Sequence, residues 1–558
     1  MELRAHQRAA VERYTSASII PLFFAVGTGK SVTALAIASE KYRRGDIDRV
    51  LIVAPNHIDE QWATEQIPLF FSSFEAYADV PAWLWTKKDK VWGFKQGCLN
   101  LGTVNVDKFA YRELRERFIK WALEGKCMVV VDESTRIKNL KAQRTKALVY
   151  GFSKCKWRGR TCIENIPLTA ARCILTGTPT TGSPHDVYAP FEFLSPFYFR
   201  MTEYQFNARY LMQMFLRDGD GKIMQAGGRA IKVALNEEAW KEIKKLPFLE
   251  ASTRFGISPD TYAAIQQQER YEGSYKNVEE LRRKIAETAM FVRIEDVNDM
   301  PEKNYIRKVV DMGAEQAKAY KDMKAHYVAE YKGQVMRAKS KLTLSLRLQQ
   351  IASGFIVDRG EPRREDYEDD EEWAEAAMRF LSDPPPSTIA YFPHNPKLEQ
   401  LREDLKELED AQVLVVCHFS AEASMLYEAL TEDGYRVCLQ TGWKKIGTID
   451  EYKEGKYQVM VANEKLISMG FNLQMGHYII FYSNTFSLED RLQTEGRIYR
   501  TGQKNTCFYL DYVCRGTVDE TVWAAIGMRK NLADYIINKS VEEFLGNDRQ
   551  NEGSRCIA

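Results

Sequence analysis

Ten cysteines are spread through the 558 residues, and no two of them form a Cys-x-x-Cys pair. Cys155 and Cys162 come nearest in the first half, but seven residues apart and without a second pair they make a poor zinc set. Reduced, partly buried thiols are expected, as in cytoplasmic proteins. No stretch approaches the ~20 apolar residues that a membrane span needs. Met1 is followed by Glu2, Arg4 and His6 rather than an apolar run, so no secretory signal is expected and the cytoplasm is the expected compartment. Charge of either sign is not in excess. Lys and Arg number 78 against 77 acidic residues, a net +1, so any surface for a polyanion must be local. No internal repeat at solenoid periods is visible.

What is present is a double alternation. Apolar runs at 19–25 (IIPLFFA), 49–55 (RVLIVAP), 127–133 (CMVVVDE) and 172–179 (RCILTGTP) are separated by segments of helical spacing. A second set follows at 411–419, 457–463, 477–483 and 506–513. Near-continuous β-branched and aliphatic runs suit strands buried on both faces of a parallel sheet, and the intervening helical patterns suit βαβ units. At 558 residues the chain also exceeds the roughly 250–300 at which one core stops growing. The expected fold is α/β, with two lobes built on parallel sheets and helical insertions between and within them. The expected segments are a first lobe at 1–245, a helical linker at 246–310, a helical insertion with an acidic loop at 311–400, and a second lobe at 401–558. Residues 235–355 read mostly as amphipathic helix. Residues 359–385 are acidic and end in three prolines, as an exposed loop would.

Three stretches carry chemistry. LFFAVGTGKS runs from an apolar strand into Gly27, Thr28, Gly29, Lys30 and Ser31, and a helix-forming segment follows. That order suits a phosphate loop: glycines turn the backbone so that its N–H groups face phosphate oxygens, and the helix adds its positive end. Lys30 would reach the β and γ phosphates, and Ser31 would coordinate magnesium. The strict pattern has glycine where this chain has Phe24. Second, Asp132 and Glu133 close an apolar strand, where paired carboxylates are costly unless their charge is used. Asp132 would hold a metal through its water shell and Glu133 would take a proton from the attacking water. Third, Gln493, Arg497 and Arg500 recur at i, i+4 and i+7, on one face if the segment is helical throughout. A guanidinium pair suits the charge that develops in phosphoryl transfer.

The ordered set LRAHQ, AVGTGKS, LIVAPNHIDEQW, VVVDESTRIKN, ILTGTPTTG, SMGFNL and QTEGRIYRTGQ resembles the superfamily-two helicases, and more narrowly the Swi/Snf-type DNA translocases. The resemblance extends over residues 3 to 525. It rests most specifically on Arg136, Lys138 and Asn139 after the acid pair, on FEFLSP (191–196), and on the closing Arg497-x-x-Arg500-x-Gly502-Gln503. It implies two RecA-like lobes, ATP with Mg2+ as cofactors, and DNA lying across both lobes. It further implies that Gln7, beside His6, reads the adenine edge, that Arg497 and Arg500 are arginine fingers with Gln493 their partner, and that Thr176, Gly177 and Thr178 couple hydrolysis to lobe movement. Pro55, Asn56, Thr178, Ser468 and Asn472 fall in segments that touch the DNA backbone. The basic insert SKCKWRGRT (153–161) is read as a solvated hairpin or, with Lys156 and Arg158, as a further phosphate contact.

The chain departs from the family pattern at Thr135 (usually His), Gly182 (often Asn), Gly496 (often Asp), Phe486 (usually Trp) and Leu488 (usually Pro). These are coupling or packing positions rather than phosphate contacts. The resemblance therefore implies a compact bacterial or phage-like, monomeric motor that hydrolyses ATP to move on duplex DNA without reading its sequence. The competing readings are a strand-separating helicase, a nucleotide-dependent DNA-binding switch that does not move, and an RNA-directed motor. No chromatin-reading or nuclease motif is visible beyond the motor.

Overall fold

The computed structural model describes the chain except residues 57, 86–91, 159–160, 181–182, 216–221, 227–228, 231, 269–273, 298–299, 333, 339–340, 361, 363–375, 377, 379–386, 468–471, 501 and 528–558. Among the described residues two compact units are formed, one from the part before residue 298 and the other from 300–527.

The first unit is organised by seven strands: β1 (Ile19–Phe24), β2 (Arg49–Ala54), β3 (Ala82–Trp85), β4 (Leu99–Asn105), β5 (Cys127–Asp132), β6 (Ala171–Thr176) and β7 (Met290–Val292). Their order is β7-β1-β6-β5-β2-β4-β3, and every pairing is parallel. Alternate residues feed opposite cores. Phe23, Leu51, Val53, Val129, Val131 and Ile174 enter one, while Leu22, Phe24, Val50, Ile52, Val130 and Leu175 enter the other. Both faces are covered, which is why these strands read as unbroken apolar runs. Pro21 is tolerated inside β1 because β7 pairs with it only from Leu22 onward. Lys41, buried on the Lys30–Arg43 helix, donates to the carbonyls of Thr15 (2.8 Å) and Ala17 (2.6 Å), tying that helix to the end of the Ala5–Tyr14 helix. A separate small core of Met212, Leu235, Trp240, Ile243, Ala251 and Ile265 holds the short helices of 237–267.

The second unit repeats the plan with β8 (Lys303–Val310), β9 (Val413–Cys417), β10 (Val437–Gln440), β11 (Lys445–Ile446), β12 (Val459–Asn463), β13 (Tyr478–Phe481) and β14 (Cys507–Cys514), in the order β8-β14-β13-β9-β12-β10-β11. All neighbours are parallel except the final β10–β11 pair. Both sheets carry helices, so the α/β architecture of parallel sheets with helical insertions holds.

Residues 246–310 and 311–400 are less helical than their composition suggests. The helix at Val278–Ala286 stops, and Met290–Val292 continues as the edge strand β7. Lys303–Val310 is β8, an edge strand of the second sheet with Lys303 and Arg307 exposed and Lys308 part-buried in an ion pair with Asp404 (3.0 Å). In 311–400 a hairpin, Val328–Tyr331 with Gln334–Arg337, and an antiparallel pair, Phe355–Asp358 with Thr388–Tyr391, pack with the helices Ala314–His326 and Lys341–Ala352. The acidic stretch 359–385 lies almost wholly outside the described residues.

Candidate functional site

In an open parallel sheet the loops at the carboxyl ends of adjacent strands converge. In the first unit β1, β6 and β5 are consecutive, so the phosphate loop, Thr176–Thr178 and the acid pair emerge side by side. Phe24, where the strict motif has glycine, is the last residue of β1 and is fully buried. The turn is thus confined to Ala25–Gly29. Gly27 (φ 84°) and Gly29 (φ 86°) are both left-handed, which a side chain would resist. The Lys30–Arg43 helix starts at once, with Ser31 in its first turn. Lys30 Nζ donates to the carbonyls of Phe24 (2.9 Å) and Ala25 (3.4 Å), so its ammonium lies over the loop.

Gln7 is part of this cradle. It is buried, its Oε1 accepts from the Arg4 amide (2.8 Å), and its Nε2 donates to Thr28 O (3.4 Å). A Cβ at Gly29 would stand 2.2 Å from Gln7 Nε2, so a side chain there would displace the Gln7 amide, and the φ of 86° favours glycine in any case. His6 Nε2 also bonds Thr28 O (2.8 Å), and burial holds its pKa below the usual value.

Asp132 ends β5. Its Oδ2 accepts from the indole Nε1 of the fully buried Trp62 (2.7 Å). Burial raises the carboxyl pKa, the Trp62 hydrogen bond lowers it, the charge of Glu133 raises it, and that of Lys30 lowers it. Trp62 opens a five-residue π-helical segment, Trp62–Gln66, of a kind common at functional sites. Glu133 is left-handed (φ 56°, ψ 72°), a strained state for a residue with a side chain. Two hydroxyls hold its carboxylate: Thr176 Oγ1 donates to Oε1 at 2.7 Å and Thr135 Oγ1 at 3.2 Å. Thr176 Oγ1 in turn accepts the Thr178 amide (3.1 Å). The threonine that departs from the family's histidine is therefore a partner of the proposed base.

The first unit thus brings together Gln7, Gly27, Thr28, Gly29, Lys30, Ser31, Asp132, Glu133 and Thr176. The donor set fits a magnesium–triphosphate: an ammonium and left-handed glycine backbone for phosphate, and a hydroxyl and a carboxylate of raised pKa for a divalent cation. Trp62 and Thr135 were not among the candidates. The signal for Trp62 was the tryptophan closing LIVAPNHIDEQW, which only the folded chain turns back onto Asp132.

In the second unit the Leu488–Ile498 helix carries Gln493 and Arg497. Arg500 is not on it, which corrects the expectation of one helical face for all three. Tyr499 leaves the helix at φ −89°, ψ 85°. The reason is Gln503, whose Nε2 donates to Ile498 O (3.2 Å), Gln474 O (3.0 Å) and Gly476 O (3.0 Å), closing the helix end around a left-handed Gly502. Arg497 is buried; Arg500 is half-buried, and desolvation lowers its pKa. The helix is anchored by Arg491, which donates to Glu495 Oε1 (2.8 Å), Asn484 Oδ1 (2.8 Å) and both carboxylate oxygens of Asp511, with its guanidinium 3.4 Å from the Phe481 ring centroid.

Of the remaining candidates, Pro55 O accepts the amides of Ile58 and Asp59, and exposed Asn56 receives Asn105 Nδ2 (2.8 Å). Thr178 is buried inside its turn rather than on the surface. Asn472 is exposed, its Oδ1 accepting the Gln474 amide. Ser468 and Gly182 lie outside the described residues. Lys156 and Arg158 fall in the strand Ser153–Arg158, and their side chains lie outside the description.

Two parallel-sheet units, a phosphate loop beside an acid pair in one and an arginine-bearing helix in the other, define the superfamily-two helicase-like class. The SNF2-related domain model matches residues 22–354, more than half of the chain, and the helicase conserved C-terminal domain model matches residues 396–502. The chain belongs to the SNF2-related family. It is similar to the DNA repair protein rhp54 of Schizosaccharomyces pombe, 17% identical over 149 residues (26% of this chain, 18% of that one). It is also similar to the DNA repair and recombination protein RAD54 of Saccharomyces cerevisiae, 20% identical over 173 residues (28% and 19%). The match spans less than a fifth of each relative's length. Among solved structures, the SWI2/SNF2 ATPase core of Sulfolobus solfataricus in complex with dsDNA aligns over 97% of this chain and 93% of that one, at 15% identity and a TM-score of 0.37. The C-terminal part of the Fun30 ATPase domain aligns over 43% and 98%, at 15% identity and a TM-score of 0.29.

Proposed function

We propose that this chain is a DNA-dependent ATPase that uses ATP and Mg2+ to translocate on duplex DNA. The observation that carries the reading is the hydroxyl-held carboxylate of Glu133 beside Asp132, whose own carboxyl feels the Lys30 charge. Lys30, Ser31 and the Gly27–Gly29 backbone would bind the triphosphate, and Ser31 and Asp132 would hold magnesium, which would neutralise phosphate charge. Trp62 orients Asp132. Glu133, aimed by Thr135 and Thr176, accepts the proton of the attacking water. Arg497 and Arg500 are the proposed arginine fingers for the phosphoryl group under attack, with Gln493 their partner. Pro55, Asn56 and Asn472 are proposed backbone contacts. Because such contacts carry no base information, binding is expected to be salt-sensitive and indifferent to sequence. The proposed segments follow the two units, with residues 1–298 as the ATP-binding lobe and 299–527 as the helicase C-terminal lobe.

ATPase rate measured with no nucleic acid, single-stranded DNA, duplex DNA and RNA tests this. Stimulation by duplex DNA is expected. Equal rates in all four conditions would overturn the reading, and stimulation by RNA alone would assign a different polymer.

A further inference from the structure

The turn between β10 and β11 holds Trp443 at 92% exposure, the highest of any large apolar side chain among the described residues. Its setting is rigid. Thr441 is buried and clasps the turn: its amide donates to Lys444 O (3.0 Å), and its Oγ1 accepts the Lys444 amide (2.9 Å) and the Trp443 amide (3.4 Å). Such a clasp fixes the loop while leaving the indole in water. Lys444 and Lys445 are both exposed, and neither is ion-paired with a carboxylate among the described residues. Because β10 and β12 are parallel neighbours, paired Gln440 with Ala462, this turn leaves the same end of the sheet as the Glu464–Ile467 helix that follows β12. Lys465 of that helix is exposed too.

A flat, solvated ring followed by two exposed lysines, on an end of the sheet that also carries Lys465, is the chemistry of a base-stacking platform. Inside duplex DNA each base face is already covered by its neighbours. The partner that offers a free π-face beside phosphate charge is an unpaired nucleotide. We infer that Trp443 stacks on an unpaired base at a single-strand junction in DNA, with Lys444 and Lys445 on its flanking phosphates. This rests on the DNA reading above and deepens it by giving the motor a preference for junctions over continuous duplex.

The test is anisotropy of the full-length chain on a labelled forked duplex, competed with unlabelled fork, single strand or closed circular duplex, which has neither ends nor unpaired bases. The wild type is expected to prefer the fork over the circle, and W443A to lose about tenfold on the fork, the scale of one stacked base, with little change on the circle. W443F, which keeps a ring, should lie between. K444A/K445A should flatten the log–log salt dependence of fork binding by roughly two phosphates' worth. Retention of the fork preference by W443A, or its absence from the wild type, would overturn the inference, as would equal losses on fork and circle. A protein-docking role for Trp443 would appear as unchanged DNA binding in W443A and would overturn it equally. Failure of the wild type to bind any DNA would instead remove the functional reading beneath it.

Discussion

Both units are built on a seven-stranded, mainly parallel sheet, but the strand orders differ and the proposed working groups are positioned by different means. In the first unit the working groups sit in the turns themselves. Lys30 follows the loop at once, Asp132 is a strand's last residue, and Glu133 is held in left-handed backbone by two hydroxyls. In the second unit the arginines lie on or just past a helix, and the helix is fixed to the sheet by Arg491, Glu495 and Asp511, whose side chains are all buried. One set is placed by backbone geometry and the other by a buried ion cluster. Substitutions should therefore act on chemistry in the first unit and on stability in the second.

The largest separation is expected from E133Q. It should reduce ATP turnover by roughly a thousandfold or more while retaining nucleotide binding, whereas K30A should lose binding itself. Near-normal turnover in E133Q, measured beside fluorescent-nucleotide titration, would remove Glu133 as the base. In the second unit R491A leaves two carboxylates buried together and should destabilise that unit by about 3–5 kcal/mol in denaturant titrations. If R491A instead unfolds like the wild type, the contrast between the units is wrong.

Smaller effects sharpen the account. W62F removes the indole donor but keeps an aromatic side chain, and should raise the Mg2+ concentration for half-maximal ATPase by ~10-fold. T135V should lower kcat about tenfold with KM for ATP unchanged, and T135S should recover most of it. A fall in KM-controlled rate alone would make Thr135 a packing residue. The smallest effect tests burial without function. Glu192, on the helix after β6, is buried with its carboxyl pKa pushed up to about 7 by desolvation. In the unfolded chain it ionises in the ordinary carboxylate range, so it withdraws stability as pH rises from there through 7. E192Q should therefore raise the unfolding free energy by ~1–3 kcal/mol at pH 8 and change it little at pH 5.

The sequence made the central strands legible because burial on both faces removes polar interruptions from them. It hid β4, whose seven residues LNLGTVN are all buried yet include two asparagines. Asn100 is satisfied by the Lys95 amide and by the carbonyls of Cys98 and Lys95, an arrangement that no periodicity announces. It hid β8 because an edge strand tolerates charge. The phosphate loop, acid pair and Arg497 were legible because each occupies a few adjacent residues. Trp62 and Thr135 were not, since their roles depend on turns that fold back onto Asp132 and Glu133. Arg500 was misplaced because helical spacing was extended past Ile498, where Gln503 ends the helix.

The absent β-carbon at Gly29 has a wider meaning. With Gln7 filling that space, the first helix and the phosphate turn are geared to each other, so a shift in one must be felt by the other. With Gln7 in its proposed role, base recognition and phosphate grip would share one contact in this chain.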